Sequence, residues 1–282
     1  MVPIWNTPPA YFELSNKDVH IWQAALDSPG NRVQEFREKL SLDERAKAER
    51  LRFERDRNRF IVRFGILRTI LGFYTGTEPN EIRFCYGNRG KPRLCDAFGR
   101  AGIHFNVSHS EGLALYVFTR DHEVGVDIER IRDIPEMEEI VEQFFSAREN
   151  AIFRSLPRSK KRQAFFTCWT RKEAFMKVIG EGLFYPLNRF DVSFSPDEPS
   201  RLLSIDGDPE KASQWFMLSL KPAVGFIAAL AIKGHGWRLH FWQGPDQPTS
   251  NLAYQQRPKW LSVKNEKILS SKQIHIPGSL SV

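Results

Sequence analysis

Two short runs gather carboxylates and a lysine at spacings that could do chemistry: Gly125-Val126-Asp127-Ile128-Glu129 and Trp169-Thr170-Arg171-Lys172-Glu173-Ala174-Phe175-Met176-Lys177. In the first, the β-branched stretch from Val124 to Ile128 reads as a strand. Its period of two puts Asp127 and Glu129 on one face and Val126 and Ile128 on the other. In the second, Glu173 and Lys177 are one helical turn apart and share a face. Three converging carboxylates repel one another unless a cation joins them. A hard site with few protein oxygens suits Mg2+, which keeps waters and takes phosphate oxygens. Lys177 then offers a point charge to a phosphate. Each motif alone has a commonplace alternative, a solvated strand edge for Asp-x-Glu and a surface ion pair for Glu173 and Lys177.

Two further clusters precede these. Gly87-Asn88-Arg89-Gly90-Lys91-Pro92 is a turn whose glycines permit close approach to an anion and which presents Arg89 and Lys91; by itself it is equally a plain hairpin loop. In Phe105-Asn106-Val107-Ser108-His109-Ser110, the Ser108-His109 pair does not suit a hydrolase. Adjacent residues on a strand point apart, and the Gly-x-Ser-x-Gly elbow is absent. Hydrogen bonding to phosphate is the better role for both.

The elements that must position these residues follow from periodicity. A helix is expected from about Ser159 to Ile179, with Phe165, Cys168, Phe175, Met176 and Ile179 on its apolar side and Gly180 as its stop. Earlier, Ser41 and Glu44 form a capping box, and a helix from about Arg57 to Leu71 is expected to stop near Gly72. Strands are expected at Val19–Trp22, Ile82–Tyr86, Ile103–Val107 and Leu113–Thr119, then near Arg189–Phe194, Gln214–Leu220 and Val224–Ile232, with a helix around Ile140–Phe145. The halves are faintly alike: Arg59-Phe60…Leu67-Arg68…Leu71-Gly72 parallels Ala164-Phe165…Lys172…Ile179-Gly180. This gives an amino-terminal subdomain over 1–120, a second over 121–243 and, where the composition turns to Gln, Ser, Pro, Asn and Lys, a flexible tail over 244–282.

A chain of 282 residues with 41% hydrophobic content can bury a substantial core. No apolar run approaches the roughly 18 residues of a membrane span, and Met1-Val2-Pro3-Ile4-Trp5 does not open a signal peptide, so a cytoplasmic protein is expected. Cys85, Cys95 and Cys168 are scattered and odd in number, which argues for reduced thiols, with Cys168 in the core. The net charge of +7 points to an anionic partner. Its densest part, Arg45 to Arg68, is interleaved with acids and reads mostly as solvated helix faces, a few of which could face a phosphate.

Taken together and in order, Gly90-Lys91-Pro92, Asn106-Val107-Ser108-His109-Ser110, Gly125-Val126-Asp127-Ile128-Glu129 and Trp169-x-x-Lys172-Glu173-Ala174-x-x-Lys177 resemble the 4′-phosphopantetheinyl transferases of the Sfp type, most closely the cyanobacterial group. The resemblance covers about Val19 to Trp242. It implies a pseudo-twofold α+β fold, two similar subdomains with coenzyme A and Mg2+ between them. It also implies transfer of phosphopantetheine from coenzyme A to a serine of an acyl or peptidyl carrier protein, releasing adenosine 3′,5′-bisphosphate. By the same resemblance Asp127, Glu129 and Glu173 fall on metal-binding acids, Glu173 also on the base for the carrier serine, and Lys177 on a diphosphate-binding lysine. Ser108 and His109 fall on coenzyme A phosphate contacts, Lys91 on the basic residue of the nucleotide loop and Lys47 on a position near the 3′-phosphate, while Arg89 and Pro92 beside Lys91 are further candidate cofactor-binding residues. Glu149 matches a further family acid of unsettled role, left out of the metal shell. A monomer with no nucleic-acid or membrane partner is expected.

Two other classes compete. A Mg2+-dependent nuclease would also use acids, a lysine and a basic surface, but would more naturally place an acid and lysine two apart on a strand. A carrier-protein binder without activity is disfavoured by the intact set of acids.

Overall fold

In a computed structural model, residues 1–9, 13–86, 91–95, 102–180, 185–195 and 198–245 are described. The first half runs β1 (Asp18–Ala25), α1 (Gly30–Lys39), α2 (Leu42–Glu49), α3 (Glu54–Thr75), β2 (Phe84–Tyr86), β3 (Pro92–Leu94), β4 (Ile103–Ser110) and β5 (Leu113–Arg120). Then come β6 (Val124–Arg130), α4 (Met137–Phe144), α5 (Ala147–Ser155), α6 (Arg158–Ile179), β7 (Phe190–Val192), β8 (Leu202–Ile205), α7 (Pro209–Ser213), β9 (Trp215–Leu220), β10 (Phe226–Lys233) and β11 (Arg238–Gln243).

Strand alternation builds the layers. One sheet has the order β11-β1-β5-β4, another β6-β10-β9. Val19, Ile21, Leu115 and Val117 of the first sheet pack against Val126, Ile128, Leu230 and Ile232 of the second. The opposite face of the first sheet, with Trp22, Tyr116 and Phe118, is covered by Ile66 and Ile70 of α3. That of the second, with Ala229 and Ala231, is covered by Phe175 and Val178 of α6. The result is a helix–sheet–sheet–helix arrangement of α+β type, each helix closing its own apolar core.

The two halves repeat each other closely. Helices α3 and α6 each have 22 residues and end on a left-handed glycine, Gly76 at φ 69° and Gly180 at φ 68°. Each half also has a short helix opened by a capping box, Ser41 with Glu44 and Ser146 with Glu149. The box glutamate then meets a buried cation on the long helix, Glu44 with Arg68 and Glu149 with Lys172, both at 2.7 Å. Arg68 and Lys172 hold equivalent places, each eight residues before its capping glycine. This corrects the register read from sequence, which set Gly72 against Gly180; α3 runs on to Thr75, and Gly72 is a buried residue within it. Arg68 is likewise no solvated charge: it is 1% exposed, and its Nη1 donates to the carbonyls of Pro79 and Ile82. In the corrected register Thr69 and Phe73 stand where Glu173 and Lys177 stand, so the acid and lysine occur in one half only.

Three other expectations change. Strand β11, not foreseen, pairs in parallel with β1 (Asp18↔Arg238, Trp22↔Trp242), so a strand from the end of the second half completes the sheet of the first. Cys85 and Cys95 are not free thiols but form a disulfide, because the β2–β3 hairpin brings their Cα atoms to 5.0 Å. Cys168 is free and buried. At the carboxyl end, Gly244 N–H donates to Gln23 O and Arg32 donates to Pro245 O, so the chain is still anchored where a tail was expected to begin. The rest of that segment, 246–282, and Arg89 lie outside the described residues. Among the described residues no helix is long and apolar enough to cross a membrane.

Candidate active site at the seam of the two sheets

The site is built by an unusually close contact between α6 and β6. A Cβ at Gly125 would lie 2.1 Å from the carbonyl oxygen of Ala174 and 2.9 Å from the amide of Val178. Only a residue without a side chain lets the helix backbone rest there. Asp127 and Glu129 share the face of Gly125, so the contact brings them to the side of α6 that carries Glu173 and Lys177. The Lys177 ammonium donates to Asp127 Oδ1 at 2.7 Å, to Ser108 Oγ at 3.0 Å and to the Val126 carbonyl at 3.1 Å.

Strand β4 closes the seam. Strand β6 pairs with β10 on one edge only, leaving alternate N–H groups on the other edge in need of acceptors. Asn106, Ser108 and Ser110 supply them, accepting from the amides of Val126 (2.9 Å), Ile128 (3.3 Å) and Arg130 (3.0 Å). The two serines also donate to the acids, Ser108 to Asp127 at 2.9 Å and Ser110 to Glu129 at 3.0 Å. The Asn-x-Ser-x-Ser spacing is thus the period of a strand whose polar face joins the sheets. Ser108, read from the resemblance as a phosphate contact, is 6% exposed and its hydroxyl is committed to Asp127, Ile128 and Lys177. His109 points to the opposite side, toward α3.

The electrostatics are those of an anionic cluster short of positive charge. Asp127 Oδ2 is buried with no hydrogen-bond partner among the described residues. Half-buried Glu173 likewise has no hydrogen bond or ion pair among the described residues. Burial, with the charges of Asp127 and Glu129 and against Lys177, raises its pKa. Burial and Asp127 raise that of Glu129, against hydrogen bonds from Ser110 and Arg132. An orphaned carboxylate oxygen beside two carboxyls that resist ionisation fits a hard divalent cation. The ammonium of Lys177 on Asp127 and the guanidinium of Arg132 on Glu129 supply the local positive charge in this structure. A different trio, Asp18, His20 and His240, has its ligand atoms within 4.8 Å of one another, but Asp18 there already accepts from Ser15 N, Arg238 and His240.

The remaining expected residues flank the seam. Lys91 Nζ binds Glu123 at 2.7 Å and the Lys177 carbonyl at 2.9 Å, tying the β2–β3 hairpin to the end of α6. His104 also binds Glu123, at 3.0 Å. Hydrogen bonds from His104 and Lys91 hold the Glu123 carboxyl down at about 2 despite partial burial. Pro92 pairs with Tyr86, over whose ring exposed Lys47 lies at 4.7 Å. For His109, burial and then the charges of Arg63, Lys177 and Arg59 push the pKa down to about 4, so the ring is neutral at pH 7. Sequence reasoning gave Glu123, His104, Asn106 and Ser110 no role; the alternation through Asn106, Ser108 and Ser110 was the available signal for the last two. Glu149 is 1% exposed, accepts from Ser146 N, Val192 N and Lys172, and belongs to the packing behind α6. A cavity of about 490 Å3 lined by Lys160 and Arg171 is likewise separate from the seam residues.

Comparison with known proteins agrees with the motifs. Residues 123–231, which hold the acids and the lysine, match the family model described as the 4′-phosphopantetheinyl transferase superfamily. The chain is 39% identical to the 4′-phosphopantetheinyl transferase HetI of a Nostoc species over 84% of this chain and 97% of that one. It is 34% identical to the 4′-phosphopantetheinyl transferase psf-1 of Bacillus pumilus over 68% of this chain and 78% of that one. Among solved structures, the holo-[acyl-carrier-protein] synthase of Thermotoga maritima aligns with 40% of this chain and 64% of its own at 18% identity, with a TM-score of 0.31. With a relative of this identity matched over nearly its whole length, the chain belongs to the 4′-phosphopantetheinyl transferase superfamily.

Proposed function

We propose that the protein transfers the 4′-phosphopantetheine group of coenzyme A to a serine of an acyl or peptidyl carrier protein, converting apo carrier to holo carrier, and that the seam is where it does so. The observation that carries this reading is a pair of carboxylates that lack partners among the described residues, Asp127 with an orphaned buried oxygen and Glu173 with no hydrogen bond or ion pair, set against the Lys177 ammonium. Asp127, Glu129 and Glu173 would hold Mg2+, whose charge neutralises diphosphate oxygens when it is bound.

The residues of the chain do the rest. Glu173, with a pKa raised by burial and by Asp127, accepts the proton of the carrier serine hydroxyl. The serine oxygen bonds to the phosphorus that bears the pantetheine arm as the bridging P–O bond breaks, and adenosine 3′,5′-bisphosphate leaves. Lys177 offsets the charge that develops on the leaving phosphate, and neutral His109 donates a hydrogen bond to a phosphate oxygen. Ser108 acts one step back, holding Asp127 and Lys177 in place. Lys47 of α2 and Lys91 and Pro92 at the β2–β3 hairpin, with Arg89, are assigned to the nucleotide. Most of the rate enhancement is expected from positioning and electrostatics. A cytoplasmic monomer with no nucleic-acid or membrane partner is the form this reading expects.

The test is intact-mass spectrometry of an apo acyl carrier protein incubated with the full chain, coenzyme A and Mg2+, with an EDTA control. A metal-dependent gain of one phosphopantetheinyl group supports the reading. No gain across fatty-acid, polyketide and peptide carriers overturns it.

A further inference from the structure

The two long helices repeat each other, and one core position breaks the repeat. With Gly76 set on Gly180, Leu67 of α3 and Arg171 of α6 take the same place. Leu67 is 2% exposed and belongs to the core of its half, whereas Arg171, at 4%, carries a charge into the interior of the other. Packing at this position is satisfied by a leucine, and a buried charge is costly unless something compensates it. Among the described residues no carboxylate pairs with Arg171. Its partners are neutral: Nε donates to Ser219 Oγ, Nη1 to the carbonyl and the hydroxyl of Ser193, and Nη2 to Ser200 Oγ, the three hydroxyls each at 2.9 Å. Burial pushes its pKa down to about 10, against Cys168 and Glu198, so it is still a cation at pH 7.

Arg171 forms part of the wall of the cavity of about 490 Å3 that lies away from the seam. That volume is within the roughly 300–1,000 Å3 of small-molecule sites. Lys160 and Lys221, both exposed, add two cationic side chains to the lining, against the single carboxylate of Glu198. The hydroxyls point to the same kind of ligand. Ser193 spends its proton on the Pro199 carbonyl at 2.7 Å. Ser200 and Ser219 accept from Arg171, and among the described residues neither hydroxyl proton finds an acceptor. Nη2 has two N–H groups and uses one, on Ser200. The wall thus offers positive charge and spare donors, beside the apolar surface of Phe194, Leu218 and Ile227.

We propose that this cavity is a second binding site, separate from the seam, for a small molecule bearing a phosphate or carboxylate group, with Arg171 and the hydroxyls of Ser200 and Ser219 holding the anionic oxygens. The planar guanidinium, already fixed by three serines, suits such a group, and the apolar wall takes the remainder of the ligand. An occupant joins the β7–β8 hairpin and the edge strand β9 to α6, the helix that carries Glu173 and Lys177, so the occupied protein melts higher.

The test is calorimetric titration of inorganic phosphate and, separately, of malonate into the full chain at constant ionic strength and with EDTA present, using wild type, Arg171→Met, Lys160→Gln and Lys177→Met, with thermal melting of each. Wild type is expected to give saturable binding of at least one anion; preference for phosphate assigns a phosphate-bearing ligand and preference for malonate a carboxylate-bearing one. Arg171→Met is expected to weaken that binding by about 10- to 100-fold, the scale of charge-assisted hydrogen bonds. Lys160→Gln, which leaves the packing of Arg171 untouched and serves if Arg171→Met does not fold, is expected to weaken it about two- to fivefold, the scale of an exposed ion pair. Lys177→Met is expected to stay within about twofold of wild type. No saturable binding of either anion, affinity unchanged in both Arg171→Met and Lys160→Gln, or a loss in Lys177→Met as large as in Arg171→Met, which places the anion at the seam, overturns the proposal.

Discussion

Replacing Glu149 by glutamine, or Lys172 by methionine, separates a carboxylate that holds the fold from those that do chemistry. Both residues are buried, at 1% and 0% exposure of their side chains, and their charged atoms are 2.7 Å apart. Glu149 also accepts from Ser146 N at 2.9 Å and Val192 N at 2.8 Å, while Lys172 donates to the carbonyls of Leu187 at 2.8 Å and Phe190 at 2.7 Å. Removing either partner strands the other charge in the core, which costs about 3–5 kcal/mol. For a domain of this size each kcal/mol moves the melting temperature by roughly 2–4 °C, so either variant should melt on the order of 10 °C lower. The double variant should recover part of that loss, since no charge is then left unpaired. Thermal melting supplies the stability, and transfer to apo carrier at low temperature, normalised to folded protein, supplies the activity. Normalised activity within about threefold of wild type is expected. Loss of transfer by Glu149→Gln at an unchanged melting temperature would show that Glu149 acts in the chemistry, and would refute the structural role given to it here.

Gly125→Ala forces a methyl to within 2.1 Å of the Ala174 carbonyl, so α6 must move away from β6; a melting point lowered by the equivalent of about 1–3 kcal/mol is expected, together with weaker transfer, and calorimetry with activity measurement checks both. His20 is held at about 4 by burial and by His240, against Asp18. The unfolded chain therefore takes up this proton near 6.5 while the folded one does not, so its contribution is full above pH 6.5 and is lost as pH falls toward 4. That amounts to on the order of 3 kcal/mol, and denaturant unfolding at pH 7 and pH 4.5 should show a flatter pH dependence for His20→Gln than for wild type; parallel profiles would contradict it. Ser108→Ala removes a hydroxyl shared by Asp127, Ile128 and Lys177 and should lower the transfer rate more than it weakens coenzyme A binding; a selective loss of binding would return Ser108 to direct phosphate contact.

Much of the site is local pattern, and that part is legible in the chain. Alternation through Val126, Asp127, Ile128 and Glu129 puts the acids on one face, and the helical turn from Glu173 to Lys177 puts those two side by side. The capping box at Ser41 and Glu44 forms as its spacing predicts. What escaped depends on contacts distant in sequence. Whether a charge such as Arg68 or Lys172 is solvated or buried is decided by the second helix packed against it, which no short window contains. Strand β11 is stabilised by parallel pairing with β1 from the far end of the chain, and its alternation of Arg238, His240 and Trp242 is weak as a local signal. The odd cysteine count hid a bond that the β2–β3 hairpin makes geometrically easy. Gly125 was visible as part of a motif, but its purpose, backbone contact with α6, was not.

The most direct test of transfer at the seam is the initial rate at which Glu173→Gln loads an apo carrier protein, followed by intact mass beside wild type at saturating coenzyme A and Mg2+. The expected result is a rate lower by on the order of 10²–10⁴-fold, with the melting temperature and coenzyme A affinity close to wild type. A rate within a few fold of wild type, still abolished by EDTA, would place the proton acceptor elsewhere and contradict the role assigned to Glu173.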